Sequence, residues 1–176
     1  MPEATLFEKY SVDTNVIVSF LGDGPDELYP IDAFAPQWNV LAAAFKDGRA
    51  VAAKRVSTEL KKWERLDRVK EWRHGHRFVF RDIESDEQLV AAKAIVNRYP
   101  AYGLDMNQLG DLEVMALAKA RGLSVVTLES TKQHSQARPK IPNVCEEFGI
   151  SCMGLKDFLR EEGGAEIGLT RITPAT

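Results

Sequence analysis

Residues 110–128 constrain the fold more than any other stretch. Gly110-Asp111-Leu112-Glu113-Val114-Met115-Ala116-Leu117-Ala118-Lys119-Ala120-Arg121-Gly122 reads as a tightly packed helix, with Val114, Met115 and Ala118 as its small or apolar residues and Gly122 as its C-terminal stop. Directly afterwards, Leu123-Ser124-Val125-Val126-Thr127-Leu128 is the clearest strand of the chain. A helix, a glycine and a strand in such close succession predict parallel β/α architecture. In open sheets of that kind the carboxyl ends of the strands form the ligand crevice, and Glu129-Ser130-Thr131 lies at such an end.

The first strand presents a second carboxylate in the same way. Tyr10 and Val12 suit a short strand, and Asp13 sits where it ends, before Thr14, Asn15 and the apolar run Val16-Ile17-Val18. Asp13 admits two readings. Aspartate is a common cap of a following helix, and a carboxylate at a strand's carboxyl end is also placed to hold a cation or accept a proton. Asp111 admits the same two, because the first turn of a helix favours a carboxylate through the helix dipole.

The rest of the chain supplies further elements. Residues 20–30 are rich in turn formers and read as a loop. Phe34, Trp38, Leu41 and Phe45 recur at helical spacing until Asp47-Gly48 closes the run. Arg49 to Ala53 reads as a short buried strand or a continuous loop. From Lys54 to Arg73 the pattern predicts one long polar helix, with Val56, Leu60, Trp63, Leu66 and Val69 inward and pairs such as Glu64 with Arg68 outward. Glu59 either pairs with Lys61 or Lys62 or faces a crevice shared with Asp13. His74-Gly75-His76 breaks the helix as a turn, and Arg77 to Arg81 alternates as a strand does. A helix follows over Asp86 to Arg98, through Leu89, Ala92, Ile95 and Val96, with a loop from Tyr99 to about Leu109. After a basic loop, Lys132 to Lys140, a short helix runs from Ile141 to Gly149. Ile150 to Met153 makes a last strand, and Leu155, Phe158 and Leu159 belong to a final helix.

Size and composition set the frame. With 176 residues, one domain is expected over residues 1–160, followed by a flexible tail at 161–176. The net charge of -3 argues against an indiscriminate nucleic-acid coat and leaves room for a local basic groove. No apolar run approaches the roughly 20 residues of a membrane span, and Met1 to Thr5 lack the signature of a secretory signal, so no membrane partner and a cytoplasmic location are expected. Cys145 and Cys152 read as small buried apolar residues rather than a disulfide.

Four acids thus fall at comparable places: Asp13 after the first strand, Glu59 on a helix, Asp111 at a helix start and Glu129 after a late strand. Like charges in one site raise each other's pKa, and a divalent cation relieves them. Oxygen-only ligands suit Mg²⁺ or Mn²⁺, which activate water and stabilise charge in phosphodiester hydrolysis. The stretches Ser11-Val12-Asp13-Thr14-Asn15, Val56-Ser57-Thr58-Glu59-Leu60, Gly110 to Ala118 and Val125-Val126-Thr127-Leu128-Glu129 resemble, in order, the motif series of the PIN-domain ribonucleases. The resemblance covers residues 9 to 155. Tyr29-Pro30, Trp38 and Lys140 to Cys145 resemble a bacterial PIN-like branch of mainly predicted proteins.

What the resemblance implies is a three-layer α/β/α PIN-like fold with a mostly parallel central sheet, acting as a Mg²⁺- or Mn²⁺-dependent endoribonuclease. Asp13, Glu59 and Asp111 become its metal-binding, catalytic core. Glu129 becomes the fourth acid, in place of the more usual aspartate; Glu113 is the substitute for that place, on a different side of its helix from Asp111. Asn15 and Thr127 would orient ligands or waters. Lys61, Lys62, Arg65, Lys132 and Arg138 become candidate contacts to RNA phosphates. Many family members are VapC-like toxins, which implies a toxin–antitoxin module with a cognate antitoxin protein; a homodimer is compatible with it. A non-catalytic PIN-like module that binds RNA or protein is the alternative. Phosphotransferases with an aspartyl nucleophile fit less well: haloacid-dehalogenase-like enzymes want an aspartate where Asn15 stands, and receiver domains want a lysine where Leu128-Glu129 stands.

Overall fold

The apolar runs pair into one parallel sheet. The computed structural model describes residues 7–24, 28–131 and 139–163. Its strands are β1 (Tyr10–Val12), β2 (Ala50–Ala53), β3 (Phe80–Arg81), β4 (Ser124–Thr127) and β5 (Cys152–Gly154), in the spatial order β3-β2-β1-β4-β5. Tyr10 lies opposite Ala50 on one side and Ser124 on the other, and Val125 lies opposite Cys152. Every residue of β1 and β2 is buried, as expected of parallel strands covered on both faces. Ser11 is the polar exception, and its hydroxyl donates to the Val114 carbonyl at 2.9 Å.

Helices cover the sheet and complete an α/β/α arrangement. They are α1 (Thr14–Leu21), α2 (Ala35–Lys46), α3 (Lys54–Leu60), α4 (Asp67–Gly75), α5 (Asp86–Arg98), α6 (Ala101–Leu104), α7 (Leu109–Arg121), α8 (Ile141–Phe148) and α9 (Leu155–Glu162). Helix α7 packs on β1, β2 and β4 with α5 against it, while α2 and α9 pack on each other and on the sheet. Gly122 and Gly149 end α7 and α8 in the left-handed region, φ 67° and 66°, which a side chain would strain. The Phe158 ring meets the Tyr10 ring edge-on, with centroids 4.9 Å apart. No described helix is long and apolar enough to cross a membrane.

Several expectations change. The long helix over Lys54 to Arg73 is two helices, α3 and α4, joined by a 3-10 turn at Lys61–Trp63 and an extended Leu66. Twenty straight residues would span about 30 Å, the width of a small domain; the bend keeps Val69 and Trp72 buried. Glu64 pairs with Arg73 at 2.5 Å rather than with Arg68, whose guanidinium donates to the Leu21 and Gly22 carbonyls. Arg77 to Val79 form a 3-10 turn, so β3 keeps two residues. Leu89, expected inward, is 52% exposed. The loop from Tyr99 contains α6 and a 3-10 turn at Met106–Gln108. Glu161 and Glu162 belong to α9, with Glu162 accepting from the Tyr10 hydroxyl at 2.6 Å; residues 164–176 of the expected tail lie outside the described residues. Cys145 and Cys152 are free thiols; Cys145 is buried as expected, while Cys152 is only partly buried.

The sheet order places a crevice. After β1 the chain moves outward through β2 to β3, then returns to put β4 on the other side of β1. The boundary between β1 and β4 is therefore the topological switch point, where open α/β sheets bind ligands at their carboxyl ends.

Candidate active site

Asp13 follows β1 at this boundary and Thr127 closes β4 beside it. The Asp13 amide donates to the Val126 carbonyl at 3.0 Å, and the Thr127 hydroxyl donates to the Asp13 carboxylate at 2.8 Å. The same hydroxyl oxygen accepts from the Asn15 side chain at 3.4 Å and from the Glu129 amide at 3.1 Å. Asn15 in turn accepts from the Leu128 amide at 3.2 Å. Asn15 and Thr127 thus lock the two strand ends together around one carboxylate. Asp13 is the N-cap residue of α1 but makes no side-chain cap bond into its first turn; its carboxylate is held by the Thr127 hydroxyl and the Thr14 amide. It is 3% exposed. Burial pushes its carboxyl up to about 7, with the Thr127 hydrogen bond opposing and the negative charges of Glu129 and Glu59 adding to the rise.

Glu59 stands near the end of α3 and reaches the same place. The Thr14 hydroxyl donates to its carboxylate. Burial holds that carboxyl above the usual range, against the Thr14 hydrogen bond and the charges of Lys62 and Arg55. The carboxylate lies directly over Gly110, where a Cβ would run into it. Glycine therefore lets the start of α7, and Asp111 with it, approach Glu59. Asp111 occupies the first turn of α7. Glu113 does not line the cleft: it accepts from the Arg55 amide at 3.1 Å and lies 3.6 Å from its guanidinium, although its charge still adds to the rise at Glu59.

The fourth acid has structural partners of its own. Glu129 accepts from the Ile141 amide at 2.9 Å, at the start of α8, and lies 3.7 Å from the Lys140 ammonium. Sequence reading missed both contacts, because nothing in the local pattern of Lys140 and Ile141 relates them to a residue before the loop.

Asp13, Glu59, Asp111 and Glu129 line one cleft of about 330 Å³, shared with Thr14, Asn15, Val18, Lys62, Trp63 and Asn107. A larger hollow of about 460 Å³, mainly apolar and lined by α5, α7 and α8, shares no residue with it. The motif resemblance, rather than the spacing of acids alone, pointed to the four carboxylates; Asn107 had no signal, since it lies in a segment without periodicity. Among the described residues no three histidine, cysteine or acidic groups close into a metal cage. The donor chemistry nonetheless fits a hard cation: every candidate ligand is an oxygen, and the Asp13 carboxyl is raised by burial first and by its acidic neighbours besides.

The candidate phosphate contacts divide. Lys62 lines the cleft. Lys61 is exposed and is not among the lining residues. Arg65 holds Asp23 through bonds of 2.7 and 2.5 Å. Lys132 and Arg138 lie outside the described residues. Residues 10–165 match the family described as Domain of unknown function (DUF4411). Neither the curated proteins nor the solved structures contain a match.

Proposed function

The chain belongs to the DUF4411 family, and from its site we propose that it is a metal-dependent endoribonuclease of the PIN type, hydrolysing RNA phosphodiester bonds. The observation that carries this reading is the meeting of Asp13, Glu59, Asp111 and Glu129 at one cleft on the switch point of a parallel sheet. Asp13, Glu59 and Asp111 would hold Mg²⁺ or Mn²⁺, which supplies an activated water and stabilises charge developing on the phosphate. The chain's own residues prepare the cleft. Thr127 and Asn15 fix Asp13, and Thr14 fixes Glu59. Glu129 adds negative charge and anchors the segment after β4 to α8. Lys62 offers a cation to the substrate backbone at the cleft wall.

The motif resemblance supports a finer reading: the toxin component of a toxin–antitoxin module, working in the cytoplasm and held by a cognate antitoxin protein. One observation favours a non-catalytic RNA- or protein-binding module instead: Glu129 is already engaged by Ile141 and Lys140. Cleavage of a mixed panel of transfer, ribosomal and messenger RNAs separates the two. Wild type is expected to cut with Mg²⁺ or Mn²⁺ and not with EDTA, and Asp13→Asn to lose the activity. Equal cutting by Asp13→Asn would remove Asp13 from the reaction, and RNA binding without any cutting would put the binding module first.

A further inference from the structure

The chain's two cysteines meet at the edge of the sheet. Cys145 lies in the second turn of α8, and Cys152 opens the edge strand β5. Between them Gly149 turns the chain back, and the Ile150 amide donates to the Cys145 carbonyl at 2.8 Å. Helix α8 packs on β5, where Cys152 stands opposite Val125 of β4. The tight turn thus folds one thiol onto the other, and the Cys145 S–H donates to the Cys152 sulfur.

The two thiols differ in access and in character. Cys145 is fully buried, whereas Cys152 is only partly so. The hydrogen bond from Cys145 lowers the pKa of the Cys152 thiol, against burial and the charges of Asp13 and Glu129. The same bond, together with burial, raises that of Cys145. The sulfur that solvent can reach is therefore the better thiolate, and the thiolate is the reacting form of cysteine. The pair feels the charges of the cleft without lining it. Ile141, one turn before Cys145 on α8, gives its amide to the Glu129 carboxylate at 2.9 Å.

We propose that Cys152 and Cys145 form a two-cysteine peroxide site, in which a hydroperoxide oxidises Cys152 and Cys145 then closes a disulfide that ties α8 to β5. The Cys152 sulfur takes the terminal peroxide oxygen and the O–O bond breaks. The other oxygen leaves with the thiol's proton, as an alcohol or, from hydrogen peroxide, as water. The Cys145 sulfur then attacks the sulfenic sulfur, the S–O bond breaks, and water leaves with the Cys145 proton. The thiols give up two electrons and the peroxide accepts them. A resolving thiol in contact with the first stops the oxidation at its reversible stage. A disulfide holds its sulfurs about 2.05 Å apart, closer than any hydrogen-bonded pair, so α8 shifts on β5. The Ile141 amide and its hold on Glu129 shift with it.

Hydrogen peroxide is the probe, added in small excess to the reduced full chain and to Cys145→Ser and Cys152→Ser. Free thiols are counted by alkylation and mass spectrometry. Wild type is expected to go from two free thiols to none, as a monomer two hydrogens lighter, and to regain both with dithiothreitol. Cys145→Ser should stop at a sulfenic acid that dimedone traps, and Cys152→Ser should keep its thiol at the same dose. Thermal melts report whether the variants are folded; the wild-type result stands without them. Two thiols surviving in wild type, a disulfide between two chains, or sulfinic acid at Cys152 beside an intact Cys145 thiol would each overturn the site. Hydrogen exchange at the Ile141 amide, compared between reduced and oxidised wild type, is expected to change, and equal rates would overturn the link to Glu129. Neither measurement uses RNA or metal, so failure here leaves the nuclease reading standing, and absence of cleavage leaves the peroxide site standing.

Discussion

The Asp13 carboxylate is buried beside Glu129 and Glu59, and its charge is tolerated there poorly: its pKa stands at about 7 instead of the ordinary 3.8. A carboxyl raised in the folded state makes stability depend on pH with a definite sign. Below 3.8 the group is protonated folded and unfolded alike, and costs nothing. As pH rises from 3.8 through about 7 the unfolded chain ionises first, so stability falls, and above about 7 the loss is complete. In EDTA, denaturant titrations across this window should show wild type losing stability with rising pH and Asp13→Asn losing less. Parallel curves for the two proteins would mean that Asp13 carries no such burden. The mutual cost of neighbouring acids was legible in the sequence, but the burial that contributes most of it was not, because Asp13 alone resembles a helix cap. Only the partner hydroxyl on Thr127, 114 positions away, shows the carboxylate tied to the neighbouring strand end.

Gly110 decides how two elements meet, since the Glu59 carboxylate on α3 lies against the first turn of α7. An alanine there displaces the carboxylate, which is the far end of a flexible side chain, rather than backbone. Alanine is also the better helix former by about 0.8–1.0 kcal/mol, so the fold has little to lose. Gly110→Ala is therefore expected to keep the wild-type melting temperature while RNA cleavage drops about 100-fold, the scale of a catalytic group misplaced by an ångström. A variant that melts early and cuts normally would show Gly110 to be a packing residue only. Elements with a strong local signature were legible in the sequence: α7 and its Gly122 stop, β4, the proline start and Gly149 end of α8, and the helix at Asp86 to Arg98. Elements shaped by tertiary contact were not. The break between α3 and α4 leaves no glycine or proline behind, and it follows from where Val69, Trp72 and Arg68 find partners. Leu89 fits a helical stripe, yet α5 turns it outward because α7 takes the neighbouring face.

Across the whole molecule, the parallel sheet gathers residues that the chain holds far apart. Crossing from β3 back to β4 puts residues 13 and 129 on either side of one boundary, and α3 and α7 bring Glu59 and Asp111 to it. This gathering was legible as a set of acids with a shared type of position, and the α/β class was legible in the helix–glycine–strand unit. The hydrogen bonds among Asn15, Thr127 and Asp13, and the attachment of Glu129 to α8, depend on the three-dimensional register and had no linear trace. The central claim is that these separate segments make one cation site. Calorimetric titration of Mn²⁺ into the protein at neutral pH tests it most directly, with Asp13→Asn, Asp111→Asn and, as a control, Glu113→Gln, whose carboxylate is held by Arg55. Wild type and Glu113→Gln should bind Mn²⁺ alike, and each aspartate variant should bind it at least about tenfold more weakly. Unchanged affinity in Asp13→Asn and Asp111→Asn, or an equal loss in all three variants, would contradict the account.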